Sequence, residues 1–414
     1  MTFQAQQSTD DIAPFQPAAP HDTALETTGK APAWGAVFSL ALCVAVLIAS
    51  EFMPVALLSP IATDLGVTEG HAGQAISISG VFAVVTSLFV AGVTQRIDRR
   101  VVVTSFSLFL IMSGTIVTFA PNYPVLMIGR ALLGVAIGGF WSMSAAVVMR
   151  LVPEQSVPKG LAMLNAGNAI AATISAPLGS FLGSSIGWRG AFFAVVPLAL
   201  LALVWQWVSL PSLPPKRSKG PTNLFKLLTR PHVAIGMASI MLLFMGQFAL
   251  FTYLRPFLET VTAVSISTLS LLFLLMGLAG VVGTYWVSNL LQERLFSILG
   301  AIPLIMAVIA LGLIVFGLSV TATAILLFAW GLFATAAPVG WGTWLTRTMP
   351  DDAEAGGGLQ VATIQLAITL GASFGGILFD SAGWRMTFLL AALLLAASSI
   401  FALAAGQMAR RVSP

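Results

Sequence analysis

The chain has 414 residues, of which 57% are apolar and only 8% are charged, and its formal net charge is +4. An ordinary soluble domain carries about 25% charged residues, so this composition excludes a soluble protein and predicts an integral membrane protein. The apolar segments recur at roughly 20 residues, the length of a spanning helix, and not as the alternating strands, each about ten residues long, of a membrane barrel. We therefore expect an all-α membrane protein.

A polar segment comes before the first apolar run. Residues 1–33 are rich in Gln, Thr, Ala and Pro, and they lack the basic start and short apolar stretch of a signal peptide. A segment of this composition cannot bury a core. We predict that 1–33 is a disordered cytoplasmic tail and that 408–414 is a short cytoplasmic tail at the other end.

Between these tails the chain is predicted to cross the membrane twelve times. The predicted spans are 34–58, 72–94, 102–120, 124–149, 158–182, 189–209, 232–254, 266–290, 295–317, 321–346, 356–379 and 386–407. The only cysteine, Cys43, lies within the first span, so no intramolecular disulfide is possible.

The basic residues predict the orientation. Of the nineteen Lys and Arg, only Arg189, Arg255 and Arg385 fall on the side away from the tails, and Arg130 lies within a span. Because Lys and Arg concentrate in cytoplasmic loops, we expect both termini in the cytoplasm. The net positive charge then follows from topology and does not indicate a nucleic-acid partner.

The spans form two similar sets of six. The longest loop, 210–231, is Pro-rich and basic and divides them six and six. "MRLVPE" at 149–154 matches "TRTMPD" at 346–351, and "GSFLGSSIGWR" at 179–189 matches "GASFGGILFDSAGWR" at 371–385. A parallel repeat of this kind occurs in secondary transporters. We predict an N-terminal six-helix bundle at 34–209, a cytoplasmic linker at 210–231 and a C-terminal six-helix bundle at 232–407.

Several motifs resemble those of a known family. "LMIGRALLGVAIGG" at 126–139, "GNAIAATISAPLGSFLG" at 167–183 and "LLSPIATDLG" at 57–66 are similar to motifs of the drug:proton antiporter branch of the major facilitator superfamily. "EFMPVALLSPIATDLG", "GGFWSMSAAVVMRLVP", "FTYLRP" and "PVGWGTWLTR" look most like bacterial purine ribonucleoside efflux pumps, with sugar exporters next. The loop "GVTQRIDRRV" keeps the basic pair Arg99 and Arg100, but Gln95 stands where the superfamily usually has Asp.

The resemblance implies the major facilitator fold, with two pseudo-symmetric six-helix bundles, and proton-coupled export of a small polar solute by alternating access. It implies a monomer in the bacterial inner membrane that uses the proton gradient and no cofactor. No enzyme signature competes with it, because His21, His71 and His232 lack metal-ligand spacing and there is no Walker-type glycine loop. The expected partners are a small-molecule substrate, protons and lipid, with no nucleic acid.

Glu51 and Arg130 are the candidate proton-coupling pair. At a rise of ~1.5 Å per residue, Glu51 lies about 25 Å along the first span and Arg130 about 9 Å below the opposite face, so they share a depth. A charged residue inside a span is a functional candidate, and each charge favours the ionised form of the other. Pro54 removes the backbone donor that would bond the Ser50 carbonyl, which leaves a polar group nearby. The alternative is a structural ion pair.

The repeat confines titration to the first set of spans. Glu51 corresponds to Gln247 at an offset of 196, and Arg130 corresponds to Leu327 at an offset of 197. Both counterparts are uncharged.

A nucleoside needs aromatic faces and amide or hydroxyl partners. The substrate-binding candidates supply these groups from both sets of spans: Trp141, Asn165, Asn168, Gln247, Phe248, Phe251, Thr252, Trp341, Gln360 and Gln365, with Thr363 beside them. Each has a structural alternative. Trp341 and Trp344 suit an interfacial belt, the amides suit interhelical hydrogen bonds, and the phenylalanines suit packing.

Conformational roles are predicted for Pro54, Arg99, Arg100, Gly134, Gly138, Pro177 and Gly179. The glycines permit close approach of helices. Two other functions stay open: a sugar or drug exporter of the same branch, and a membrane sensor that does not transport.

Overall fold

The computed structural model describes residues 32–215, 224–349 and 353–412. Within these ranges the chain forms thirteen α-helices and no strand, as the composition predicts. The predicted N-terminal tail up to residue 31, the middle of the predicted linker at 216–223 and the last two residues of the C-terminal tail lie outside the described residues.

The first part of the chain contributes six helices: α1 (Trp34–Leu65), α2 (Glu69–Val93), α3 (Arg99–Thr118), α4 (Tyr123–Leu151), α5 (Val157–Phe193) and α6 (Val195–Ser209). Seven follow the linker: α7 (Pro231–Phe251), α8 (Leu254–Thr260), α9 (Ile266–Phe316), α10 (Val320–Ala334), α11 (Ala337–Thr348), α12 (Ala353–Ala382) and α13 (Trp384–Val412). Short 3-10 helices at Glu154–Ser156 and Leu224–Thr229 precede α5 and α7.

Eleven helical stretches among the described residues are long and apolar enough to cross a membrane. One of them, 154–209, has 56 residues and would be about 84 Å long if straight, far more than a bilayer of about 30 Å needs. It breaks at Gly187, where φ is 75°, a left-handed conformation that glycine adopts without steric cost. The stretch therefore covers two predicted spans, and all twelve are accounted for.

The buried apolar side chains form two cores. One contains residues of α1 to α6 with Tyr253, and the other contains residues of α7 to α13 together with Val55, Ala56, Ile76 and Ala176 from the first part of the chain. We call residues 34–209 the first half and 231–412 the second half. The members from the first half in the second core show that the halves pack on each other.

Glycines bring α4 against α2, as predicted. A Cβ atom at Gly134 would lie 2.1 Å from the Ser79 carbonyl oxygen, and one at Gly138 would lie 2.1 Å from that of Ala83. Neither position can hold a larger residue without moving α2 and α4 apart.

Contacts between the halves run along α2 with α12 and α5 with α9. From one end of the bundle inward, their hydrogen bonds include Gly70 N to Asp380 Oδ1 at 3.0 Å, Ser373 Oγ to Gln74 Oε1 at 3.0 Å, and Ser77 Oγ to the Thr369 oxygen at 3.2 Å. We call the end that holds Thr68 and Asp380 the closed end.

The other end holds Arg99, Arg150 and Arg347, and we call it the open end. Here Asn165 of α5 is exposed, although α5 faces the second half through α9. An exposed amide fits a watery gap between the halves better than it fits lipid. The hydrogen bonds named above therefore join the halves at the closed end, and Asn165 is exposed toward the open end.

Arg255 comes directly after the seventh predicted span, but the helical path does not end there: after a turn at Thr252 and Tyr253 the chain continues as α8, and the Arg255 side chain is 4% exposed. One predicted placement is wrong. Trp341 and Trp344 do not form an interfacial belt, because each is 1% exposed in the second core with ring centroids 5.3 Å apart. Gly236 of α7 leaves room for the Trp344 ring.

Candidate functional site

Glu51 lies buried between the halves. It is 3% exposed within α1, and its Oε1 accepts a hydrogen bond of 3.4 Å from Nε2 of Gln365, which belongs to α12. The carboxyl group of the first half therefore contacts an amide of the second half. A change in the protonation of Glu51 therefore changes a hydrogen bond that joins the two halves.

Arg130 is the largest polar side chain buried near Glu51. Its guanidinium donates to the Ser50 oxygen at 2.7 Å and the Glu51 main-chain oxygen at 3.3 Å. It also donates to the Ala75 oxygen at 2.9 Å and to Ser79 Oγ at 3.2 Å. One guanidinium thus ties α4 to both α1 and α2.

The Ser50 carbonyl is available to Arg130 because of Pro54. In a regular helix the amide four residues later would bond this oxygen, but proline has no amide hydrogen. Arg130 supplies the missing donor from α4. The prediction that Pro54 leaves a polar group beside the carboxylate agrees with this arrangement.

Glu51 and Arg130 meet at the shared depth that the helix rise predicts, but not as a direct ion pair. The Arg130 guanidinium binds main-chain oxygens of Ser50 and Glu51, whereas the Glu51 carboxylate binds Gln365. The free carbonyl beside Pro54 draws the guanidinium away from the carboxylate. The carboxylate is therefore close enough to be stabilised by the positive charge, yet it is free to exchange a proton or a partner.

An aromatic cluster lies on the closed-end side of Glu51. Phe52 of α1 packs on Phe248 and Phe251 of α7, with ring centroids 5.7 and 6.3 Å apart, and Phe248 and Phe251 meet edge to face at 6.0 Å. Sequence reasoning predicted Phe248 and Phe251 but missed Phe52. Its position next to Glu51 was the available signal.

The predicted amides divide into two groups. Gln247 Oε1, Gln365 Oε1 and Thr252 Oγ1 are buried without a hydrogen-bond partner among the described residues. Gln247 lies on α7, Thr252 directly follows α7, and Gln365 of α12 bonds Glu51. They are therefore polar groups with capacity for a ligand or water between the halves.

The remaining candidates lie toward the open end. Trp141 is half-buried against the first core. Asn165 is exposed and Asn168 is half-exposed, and neither side chain bonds another described residue, which argues against a role as interhelical glue. Gln360 is half-buried. Trp341 lies within the second core and away from this group.

The hydroxyl group of Thr363 bonds within its own helix, α12. Its Oγ1 donates to the Leu359 oxygen at 2.8 Å and lies 3.9 Å from the Met237 sulfur.

Arg99 and Arg100 hold the start of the linker. The Arg99 amide donates to the Leu213 oxygen at 3.0 Å, and Arg100 Nη2 donates to the Trp207 oxygen at 2.5 Å. Asp98 caps α3 and accepts from Ser212 and from the Leu213 amide. These contacts stay within the first half and the loop after it.

Pro177 and Gly179 lie in α5 where it packs on α1. A Cβ atom at Gly179 would lie 3.3 Å from the Met53 side chain, so this contact is tight but tolerable. Their conformational role stays a prediction.

Arg255 is the buried residue that sequence reasoning missed. Its guanidinium donates to the Ala56 oxygen of α1 and, through Nε, to Glu259 at 2.7 Å. The available signal was Glu259 four residues later in a helix, a spacing that supports an ion pair.

Comparisons with known proteins agree with this architecture. Residues 40–357 match the model of the Major Facilitator Superfamily. The chain is 46% identical over 352 residues to the purine ribonucleoside efflux pump NepI of Salmonella typhimurium, covering 85% of this chain and 89% of that protein. It is 53% identical over 378 residues to the transcription regulatory protein OpdE of Pseudomonas aeruginosa, covering 90% and 94%.

Solved structures support the same fold. A bacterial homologue of the human lysosomal transporter Spinster, in an inward-facing and unoccupied conformation, has a TM-score of 0.77 at 14% identity and covers 92% of this chain and 98% of its own. A D-xylose-proton symporter has a TM-score of 0.72 at 14% identity, covering 89% and 97%. At this identity the likeness concerns the fold alone. The chain therefore belongs to the Major Facilitator Superfamily and is a multi-pass membrane transporter, not an enzyme.

Proposed function

We propose that this transporter exports purine ribonucleosides in exchange for protons, by alternating access of its two halves. The substrate class rests on the 46% identity to efflux pumps of that name. The observation that carries the coupling is the buried Glu51 carboxylate, which bonds Gln365 of the opposite half and lies beside Arg130. A proton on Glu51 removes a charge from the contact between the halves.

The exchange follows from the cost of a charge in a low-dielectric interior. An ionised Glu51 needs the nearby guanidinium and the Gln365 amide, whereas a protonated Glu51 needs neither and can donate a hydrogen bond instead. The free Oε1 of Gln365 is an acceptor for that bond. A proton and a substrate can then favour different arrangements of the halves.

We further propose that the closed end faces the periplasm and the open end the cytoplasm of a bacterial inner membrane, with both termini cytoplasmic. The concentration of basic residues at the open end supports this orientation. In a Cys43→Ser background, a cysteine at position 219 should resist an impermeant reagent added outside intact cells. Labelling of this cysteine from outside would show that the linker faces the periplasm, which contradicts the proposed orientation.

In this proposal the transporter works as a monomer in the lipid bilayer. Its energy source is the proton gradient, without a cofactor, and its partners are the small-molecule substrate and protons, not nucleic acid.

Ligand screening tests the substrate. Purified protein is heated with inosine, guanosine, arabinose or a cationic drug, since a ligand that binds the folded state raises the melting temperature. Inosine and guanosine should raise it. Trp141→Ala and Gln247→Ala should weaken inosine binding by roughly tenfold if the base stacks and the amide bonds it. If only arabinose or only the cationic drug raises the melting temperature, the substrate is a compound of that class and not a nucleoside.

A second candidate is a sensor that binds a ligand without moving it. The 53% identity to a protein named as a transcription regulator favours testing it. Proteoliposomes separate the two functions. Nucleoside binding without counterflow of labelled inosine would favour the sensor, whereas counterflow would favour the transporter.

A further inference from the structure

Helix α1 contains a second proline, Pro60, that frees another carbonyl group. The oxygen of Ala56 lies four residues earlier and would normally accept the amide hydrogen of residue 60, which proline lacks. Ala56 is buried, so this oxygen needs another donor, because a buried polar group without one destabilises the structure. Arg255 of α8 supplies it through Nη1.

Arg255 comes from the opposite half of the chain. Its side chain is 4% exposed, while that of its ion-pair partner Glu259 is 25% exposed. The Nε of Arg255 bonds Glu259 at 2.7 Å within α8, and Nη1 reaches across to α1. The guanidinium therefore has one partner that moves with it and one that does not.

We propose that Arg255 is the latch of the closed end: it holds the halves together by binding the Ala56 carbonyl that Pro60 leaves free, and it releases that carbonyl each time the closed end opens. The proposal rests on the alternating access described under the proposed function. It adds a conformational residue on α8, and it does not depend on the identity of the substrate.

Apart from the bond between Glu51 and Gln365, which is long at 3.4 Å, the other polar contacts between the halves are less suited to this role. Ser270 bonds Ser180 at 2.8 Å and Ser77 bonds the Thr369 oxygen at 3.2 Å, and these are bonds between neutral groups. Asp380 bonds the start of α2 at the rim and is partly exposed. A buried hydrogen bond from a charged donor is the stronger kind, roughly twice as strong as a neutral one.

Release of the latch keeps the charge compensated. When the halves separate at the closed end, Glu259 stays bonded to Arg255 because both belong to α8. The Ala56 carbonyl and the guanidinium then meet incoming water. Opening therefore leaves no isolated charge in an apolar interior, which would be prohibitive.

The test measures opening of the closed end. A reporter cysteine replaces Ala176 in a Cys43→Ser background, because Ala176 of α5 is 4% exposed and packs into the core of the second half. Its rate of reaction with a bulky maleimide is measured in nanodiscs, where both faces are accessible. The readout is then independent of orientation, substrate and transport.

Arg255→Met should raise the labelling rate at least about tenfold, the order of effect expected from a hydrogen bond to a charged group. Pro60→Ala should do the same with Arg255 and Glu259 intact, since it returns an amide donor to the Ala56 oxygen. The double variant should label no faster than the faster single variant, because both changes remove the same bond.

Two controls isolate the latch. Glu259→Gln removes the ion pair but keeps the donor to Ala56, so it should raise labelling less than Arg255→Met. Arg189→Met removes an arginine at the same end whose partners, Asp64 and the Ala120 oxygen, both lie in the first half, and it should leave labelling unchanged. If Arg255→Met does not fold, Pro60→Ala alone decides.

Unchanged labelling in Pro60→Ala would overturn the proposal, and so would a double variant in which the two effects multiply. Failure of nucleoside binding or of proton coupling would leave these labelling results intact, so the two proposals fail separately.

Discussion

Helix α1 has two prolines, and each leaves a carbonyl group that binds a buried arginine, with different consequences. Around Pro54, the freed Ser50 carbonyl binds Arg130 of α4, and around Pro60, the freed Ala56 carbonyl binds Arg255 of α8. The first arginine belongs to the same half as α1, and the second belongs to the opposite half. A proline and a buried arginine therefore form a lasting joint in one place and a separable contact in the other.

The difference follows from what moves. Arg130 also bonds Ala75 and Ser79 of α2, so it unites three helices of one half, which we expect to move as a unit. Among the described residues, Arg255 has a single acceptor in the other half. Loss of the Arg130 contacts should destabilise the fold of the first half. Loss of the Arg255 contact should only shift the equilibrium between closed and open arrangements of the halves.

Removal of Arg130 should have the largest effect. Arg130→Met leaves the Ser50 oxygen buried without a donor, which costs about 1 to 3 kcal/mol, and it removes the charged hydrogen bonds to the Ala75 oxygen and to Ser79 Oγ. We expect a loss of at least about 3 kcal/mol in the free energy of unfolding and no transport. Arg130→Lys should recover little, because one ammonium cannot reproduce the planar fork of a guanidinium.

Thermal or denaturant unfolding in detergent measures this loss. Pro54→Ala returns a donor to the Ser50 oxygen, so Arg130→Met should cost less in that background than in the native chain. Equal costs in the two backgrounds would show that the Ser50 bond contributes nothing to the joint.

The carboxylate beside the first joint gives the next effect. Glu51→Gln imitates the protonated side chain and keeps a polar contact with Gln365. Exchange of substrate down its own gradient should persist, while accumulation driven by a pH gradient should fall to the level of empty liposomes. Full gradient-driven accumulation by this variant in proteoliposomes would place the coupling site elsewhere.

Two glycines extend the comparison to packing. A Cβ atom at Gly138 would lie 2.1 Å from the Ala83 oxygen within one half, and one at Gly277 would lie 2.4 Å from the Thr173 oxygen across the halves. Gly138→Ala should lower the free energy of unfolding by about 1 to 3 kcal/mol, the usual cost of overpacking. Gly277→Ala should instead separate the halves and raise the labelling of the Ala176→Cys reporter.

Gly342→Ala is the matched control for both variants, because no neighbouring atom of the described residues lies within 4 Å of the added Cβ. The same effect on unfolding from Gly138→Ala and Gly277→Ala would remove the distinction between contacts within a half and contacts between halves.

The smallest expected effect concerns the loop at the open end. Burial would raise the pKa of the Asp98 carboxyl, but hydrogen bonds from Ser212 and from the amides of Arg100 and Leu213 outweigh it and hold the pKa below its ordinary value of 3.8. A lowered pKa contributes stability above the unfolded value, and that contribution is lost as the pH falls through the folded value.

Acid should therefore weaken the attachment of the linker only below about pH 4. Asp98→Asn should reduce the acid dependence of unfolding by less than about 1 kcal/mol, because the group is partly exposed. Unfolding from pH 6 down to pH 3 measures it. An unchanged acid dependence in Asp98→Asn would show that other carboxyl groups control this range.

Much of the fold was predictable from residue patterns. The length and spacing of the apolar runs predicted twelve spans, because a helix must satisfy its own backbone in lipid and needs a fixed length to cross it. The rise of a helix placed Glu51 and Arg130 at one depth, and Pro54 marked the free carbonyl between them. Each of these properties depends on local chemistry and on distance along a single helix.

The partners across helices were decided by the tertiary structure. Whether Arg130 meets a carboxylate or a carbonyl, and whether Arg255 reaches α1, depends on the register and crossing of helices far apart in the chain. Nothing in the residues around Pro60 indicates that α8 of the other half lies beside it. Side-chain reach is a few ångströms, so small differences in how helices pack choose the partner, and a linear pattern does not contain them.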